Sequence, residues 1–191
     1  MLEPEGREAP VIYTIGHSTR SLDEFVGLLN AHHVVQLGDI RTVPRSRRHP
    51  HFAIDALSAS LARASIAYRH FPGLGGLRKP RADSPNTAWR HSGFRGYADY
   101  MATPAFEAAI EQLLDFASVS AGGRFESGAR PTAIMCAEAV WWRCHRQLVA
   151  DALVARGVGV RHIMSERGAP PHELTDFALV HDGKVSYPGL I

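Results

Sequence analysis

Two cysteines, Cys136 and Cys144, are all that the 191 residues contain. That number cannot build the disulfide framework of a small secreted domain, and it makes the cytoplasm the expected compartment. Long apolar runs are missing too. No stretch approaches the roughly 18–20 apolar residues that a membrane span needs, so no membrane partner is expected. Met1–Pro10 is polar and acidic and lacks the apolar centre of a signal peptide, so it reads as a flexible tail. A strong charge of one sign is also lacking, because a net charge of +2 does not by itself call for a polyanionic partner. Lysine is nearly absent, being confined to Lys79 and Lys184. The cationic side chains are therefore almost all arginine, whose planar fork suits bidentate contacts to phosphate.

What is present is a soluble globular composition, 45% hydrophobic and 21% charged. The length fits one domain over residues 11–191 with a full core. Short β-branched runs at Val11–Ile15, Val34–Ile40, Ile66–Phe71, Pro131–Met135 and Val158–Ile163 predict buried strands. Between them lie helical patterns. Ser21 with Glu24 makes a capping box before Leu22, Phe25, Val26 and Leu29. Ile54–Ala64 carries Leu57 and Leu61 on one face. Thr103 with Pro104 opens a helix with Phe106, Ile110, Leu113 and Leu114, and another is expected from Gln147 to Arg156. Pro72–Gly96 reads as a long irregular loop with a helix beginning at Tyr97, and Ser118–Arg130 as a Gly/Ser-rich connector. Phe177–Tyr187 reads as a hairpin turning at Asp182-Gly183. Alternation of this kind predicts an α/β fold, a three-layer sandwich with a mainly parallel central sheet and a C-terminal β-hairpin.

In such sheets ligands sit beyond the carboxyl ends of the strands. His17 and Ser18 follow the first strand, Asp39 and Arg41 close the second, and His70 and Gly73–Gly76 follow the third. Cys136 and Glu138 follow the strand Pro131–Met135, and Arg143, Cys144, His145 and Arg146 come within eleven residues of Cys136. A strand that empties through a loop into a helix favours anions at the turn. The cysteine spacing does not fit a zinc site, so no metal is expected. Cys136 followed by Arg143 is similar to a phosphate-cradling loop, but that loop has no glycine and is one residue too long.

Tyr13-Thr-Ile-Gly-His-Ser18, Asp39-Ile-Arg41 with Pro44 and Ser46, and Leu74-Gly-Gly76 form the first half of a motif set. Phe94-Arg-Gly-Tyr97 with Tyr100-Met101, Cys136-Ala-Glu138 and Cys144-His-Arg146 complete it. Together they resemble the domain-of-unknown-function family 488, over roughly residues 11 to 188. The resemblance implies that these residues form the family's signature set, and it carries no reaction with it. Ala139-Val-Trp-Trp-Arg143 is more aromatic than the resemblance leads one to expect.

Several residues carry two readings. Asp39 and Arg41 are either a structural ion pair or an orienter with an anion-binding group. His17 and Ser18 either cap the following helix or position substrate. Cys144 is either packing or a thiolate favoured by the helix start and by Arg143 and Arg146. Arg45, Arg47 and Arg48 in one loop, and Arg78, Lys79, Arg81, Arg90 and Arg95 in another, alternate with aromatics and suit phosphates with stacked bases. The expectation is an enzyme acting on a phosphate-bearing substrate, a nucleotide or a nucleic acid. Glu138, His145, Asp39 and Cys144 are its catalytic candidates. His17, Ser18, Arg41, Arg143, Arg146 and Tyr97 are its substrate-binding candidates. The alternative is a non-catalytic nucleic-acid-binding or thiol redox-sensing module. The sequence names no cofactor.

Overall fold

The computed structural model describes residues 11–45, 48–120, 124–125 and 130–189. The expected tail Met1–Pro10, Ser46 and Arg47 of the first basic loop, and most of the Ser118–Arg130 connector lie outside the described residues. The elements run β1 (Val11–Gly16), α1 (Leu22–Ala31), β2 (Gln36–Asp39), α2 (Ile54–Arg63), β3 (Ala67–His70), α3 (Ser92–Met101) and α4 (Pro104–Ala117). Two short strands follow, β4 (Val119–Ser120) and β5 (Arg124–Phe125). The chain then continues through β6 (Thr132–Cys136), α5 (Arg146–Val154), β7 (Gly159–His162), β8 (Leu179–His181) and β9 (Lys184–Ser186).

Five strands form one sheet in the order β3-β2-β6-β1-β7, and every pairing in it is parallel. Central strands are covered on both faces, and every residue of β2 and β6 is buried. β3 lies at an edge and alternates exposed with half-buried residues. One face packs Ile15, Leu37, Ala133 and Met135 against Phe25 and Leu29 of α1 and Leu57 and Leu61 of α2. The other packs Ile12, Ile40 and Ile134 against Tyr97 of α3, Ile110 and Leu113 of α4, and Leu148 and Val149 of α5. This is the expected α/β sandwich. β8 and β9 form the expected hairpin, with Asp182 and Gly183 both at positive φ as a type I′ turn requires.

The N-caps act as the sequence indicates, but only the Ser21 half of the capping box forms. Ser21 Oγ accepts from the Glu24 amide and Thr103 Oγ1 from the Phe106 amide. The Glu24 carboxylate turns instead to Arg20, one turn away. A correction concerns α3, which starts at Ser92 and not at Tyr97. Gly93 and Gly96 hide it in the sequence, since glycine weakens helices. Gly96 is there for contact: a Cβ on it would come within 2.5 Å of the Arg78 carbonyl oxygen. Much of the expected irregular loop is thus a segment strapped across the first turns of α3.

Candidate functional site

Register sets the site. Gly16 at the end of β1 is level with Cys136 at the end of β6, and Asp39 at the end of β2 is level with Met135. The three central strands therefore stop together, and their loops open on one edge of the sheet. The β1–β6 ladder continues past the strands, with the His17 amide donating to the Cys136 carbonyl and the Ser18 amide to Ala137. The two loops approach so closely that a Cβ on Gly16 would lie 1.7 Å from the Glu138 carbonyl oxygen. No side chain can stand there.

A crevice of about 670 Å³ opens above these loops. His17, Ser18, Arg41, Arg45, Arg48, His49, Glu138, Cys144 and His145 line it, with Cys136 on its floor. A smaller lobe of about 240 Å³ shares Gly76, Leu77, Glu138, Cys144 and His145, and adds Phe94, Tyr97 and Arg143. Of the expected residues, His17, Ser18, Arg41, Glu138, Cys144 and His145 therefore meet on one surface, and Arg143 and Tyr97 join it through the lobe. The Tyr97 hydroxyl is engaged elsewhere, donating to the Leu74 carbonyl.

Asp39 and Arg146 lie beneath the crevice, both buried. Asp39 accepts from the Arg41 Nε–H at 2.9 Å and from the Tyr68 hydroxyl at 2.7 Å, and Arg41 Nη2 closes the ion pair. The pair is thus a buried ion pair, and Arg41 also lines the crevice. Arg146 Nη2 donates to the carbonyls of Glu138 and Ala139 at 2.8 and 3.2 Å, tying the loop after β6 to the start of α5. Arg146 thus holds the loop and does not face the cavity.

Cys144 precedes α5 and does not lie in its first turn. A 3-10 turn at Trp141–Arg143 intervenes, Cys144 is extended, and the helix begins at Arg146. The amides of Arg143 and Cys144 donate within that turn, so they form no phosphate cradle. His145 Nε2 donates to the Ile40 carbonyl at 3.0 Å, which leaves Nδ1 facing Cys144 Sγ at 3.4 Å. Cys144 Sγ also lies 2.6 Å from Cys136 Sγ. Burial opposes ionisation of Cys144, but the Cys136 thiol, His145 and Arg146 outweigh it and hold Cys144 well below the usual thiol range. Cys136 goes the other way, pushed up by burial and by Cys144.

His17 is stacked on Phe52 with ring centres 4.3 Å apart. Its Nδ1 donates to the Ser18 carbonyl at 2.9 Å, so Nε2 keeps its lone pair toward Arg41. Burial, helped by Arg41, lowers its pKa to about 4 against the opposing bond to Ser18.

A buried polar chain behind the crevice escaped the sequence reading. Thr14 Oγ1 meets His162 Nδ1 at 2.7 Å, His162 Nε2 meets His172 Nδ1 at 3.0 Å, and His172 Nε2 meets Asp151 Oδ1 at 2.9 Å. Trp141 stacks on His162 at 4.2 Å, nearly parallel, which answers where that aromatic packs. Arg146 Nη1 reaches Thr14 at 3.4 Å and joins this chain to the site loop. One signal could have found it: His162 ends the strand β7, at the same sheet edge as the other candidates. Burial, then His172 and Arg146, lowers the His162 pKa to about 3.

Both imidazoles are thus neutral in the fold, with folded values below the unfolded 6.5. Their contribution is complete above pH 6.5 and is lost as pH falls toward 4 and then 3. At about 1.36 kcal/mol per unit, the two groups together would lose roughly 4 kcal/mol of unfolding free energy between pH 7 and pH 5, which partial solvent screening reduces to roughly 2–3 kcal/mol. Denaturant midpoints across that range measure it, and a flat profile would contradict the neutral assignment.

Among the described residues no three His, Cys, Asp or Glu side chains are disposed to hold a metal ion, and no helix is long and apolar enough to cross a membrane. A family model described as "Domain of unknown function DUF488" matches residues 21–153. No curated protein and no solved structure matches the chain.

Proposed function

Because the chain belongs to the family Domain of unknown function DUF488, which carries no reaction with it, its function rests on the site, and we propose an enzyme acting on a phosphate-bearing substrate, a nucleotide or a nucleic acid. One observation carries the reading. A thiol–imidazole pair, Cys144 and His145, lies on the floor of a crevice whose walls hold the guanidiniums of Arg41, Arg45 and Arg48. Arg45 and Arg48 are exposed and make no ion pair among the described residues, so they are available to an anion. Val43 and Leu77 add apolar surface at the rim. Leu77 is 87% exposed and held at φ 58, a conformation unusual for leucine. Cations beside exposed apolar side chains suit a phosphate joined to a base better than a bare anion.

The roles follow from position. Cys144 supplies the nucleophile. His145 Nδ1 takes its proton and returns it to the leaving group, with the ring fixed by the bond to Ile40. Glu138, exposed at the mouth, exchanges protons with bound substrate. Asp39 orients Arg41, and His17 and Ser18 position substrate.

Charge-assisted hydrogen bonds are worth roughly 1.5–3 kcal/mol, and each 1.4 kcal/mol is about tenfold in affinity. Replacing either Arg45 or Arg48 with alanine should therefore weaken a mononucleotide by about 10- to 100-fold in calorimetric titration. A single-stranded oligonucleotide that also reaches Arg143 should lose affinity steeply with salt, and a mononucleotide only shallowly. The reading fails if inorganic phosphate, mononucleotides and oligonucleotides all leave the reduced wild-type protein unbound at millimolar concentration.

A further inference from the structure

Cys136 and Cys144 are the chain's only cysteines, and the fold brings them into contact. Cys136 ends β6, where its register with Gly16 fixes its backbone. The chain then makes the 3-10 turn at Trp141–Arg143 and returns, setting Cys144 Sγ 2.6 Å from Cys136 Sγ. The sulfurs would need to close by only about 0.5 Å to reach bonding distance. Packing alone does not ask for this, since two small apolar side chains would fill the same space. The pair is also unequal. Cys144 faces His145 Nδ1 and the Arg146 amide, whereas Cys136 points to the Glu138 carbonyl at 3.9 Å. Both line the crevice, so a small molecule in it meets them.

We propose that Cys136 and Cys144 are a redox couple that closes to a disulfide by exchange with a low-molecular-weight disulfide, Cys144 attacking and Cys136 resolving. In the first step the Cys144 thiolate bonds to one sulfur of RSSR, the S–S bond breaks, and RS⁻ leaves. In the second, Cys136 gives its proton to that thiolate and its sulfur displaces the second RS⁻ from Cys144, which leaves with a proton from His145 or water. The sum is two thiols plus RSSR giving one protein disulfide and two RSH, with two electrons passing from the protein to RSSR. A carboxylate-bearing disulfide suits a wall that carries Arg45 and Arg48. Closure ties up the Cys144 sulfur, so the oxidised protein lacks the nucleophile of the proposed enzyme. The couple shares Cys144 with that reading but does not rest on phosphate binding.

The test uses reduced full-length protein and oxidised glutathione, with no nucleotide present. After incubation, wild type should lose both thiols alkylatable in denaturant, and its peptide map should join Cys136 to Cys144. Dithiothreitol should restore both thiols. Cys136→Ser should stop at one glutathionyl group on Cys144, and Cys144→Ser should leave Cys136 unmodified. The couple is overturned if wild type keeps two free thiols, or holds a glutathionyl adduct without linking the two peptides. Nucleotide binding is measured on protein kept reduced, so either reading can fail while the other stands.

Discussion

Replacing Asp151 with alanine should cost the fold about 3–5 kcal/mol, because it takes the shared acceptor away from four buried donors. Asp151 is fully buried, and its two oxygens serve four donors. His172 Nε2 and the Thr175 amide reach Oδ1, and the Thr175 and Tyr187 hydroxyls reach Oδ2, all at 2.7–3.0 Å. These donors come from the segment after β7, so one carboxylate on α5 fastens the C-terminal part of the chain to the sheet domain. Burial and Asp151 together push the Tyr187 phenol upward, so it remains a donor. Without the carboxylate, each buried donor is left short by about 1–3 kcal/mol, offset in part by entering water. Denaturant unfolding reads the effect as a drop in midpoint. Asp151→Asn, which keeps acceptor oxygen, should lose less. Glu107→Ala breaks the partly exposed pair with Arg156 and should cost below about 1 kcal/mol. A loss of that size at Asp151 would mean that the chain of Thr14, His162 and His172 carries little of the fold.

The strand ends were legible because they depend on local pattern alone. A β-branched run followed by His17, by Asp39 or by Cys136 marks where a strand stops, and parallel pairing then puts all three stops on one edge. What stands above that edge and what lies under it is set by register and crossover, which single residues do not reveal. Asp39 and Arg146 look like site charges in the sequence, yet both sit beneath the floor, holding Arg41 and the Glu138 carbonyl. The polar chain was invisible for a related reason. Thr14, Asp151, His162 and His172 are joined only because β1 and β7 are neighbours and the chain after β7 folds back over α5. The start of α3 is hidden because its glycines serve contact with the preceding strap and weaken the helical signal. Helix starts fixed by Ser21 and Thr103 were placed to the residue, since a cap is a local hydrogen bond.

Cys144 should alkylate with a pH inflection well below that of an ordinary thiol of pKa about 8.5, which at pH 7 is only a few per cent ionised. Its thiolate is favoured by three neighbours that outweigh burial: the Cys136 thiol at 2.6 Å, His145 Nδ1 at 3.4 Å and the Arg146 guanidinium. A lower pKa also makes the thiolate less nucleophilic, with a Brønsted slope of about 0.4–0.5, so the rate itself does not report the ionisation. Cys144 is only 5% exposed, so access slows the absolute rate, and the shape of the pH profile is the informative quantity. The measurement is iodoacetamide labelling across pH 6–9, with each cysteine read separately by peptide mass. Cys136, pushed up by burial and by its neighbour, should stay unlabelled through most of that range. Cys136→Ala removes the S–H that Cys144 leans on, and His145→Ala removes the imidazole. Each should move the Cys144 inflection upward, and the two together further than either alone. A wild-type rate that climbs about tenfold per pH unit up to 8.5 would show an ordinary thiol. The nucleophile in the proposed enzyme and the attacking member of the redox couple would then both be lost, while the cationic crevice would remain a binding site without chemistry of its own.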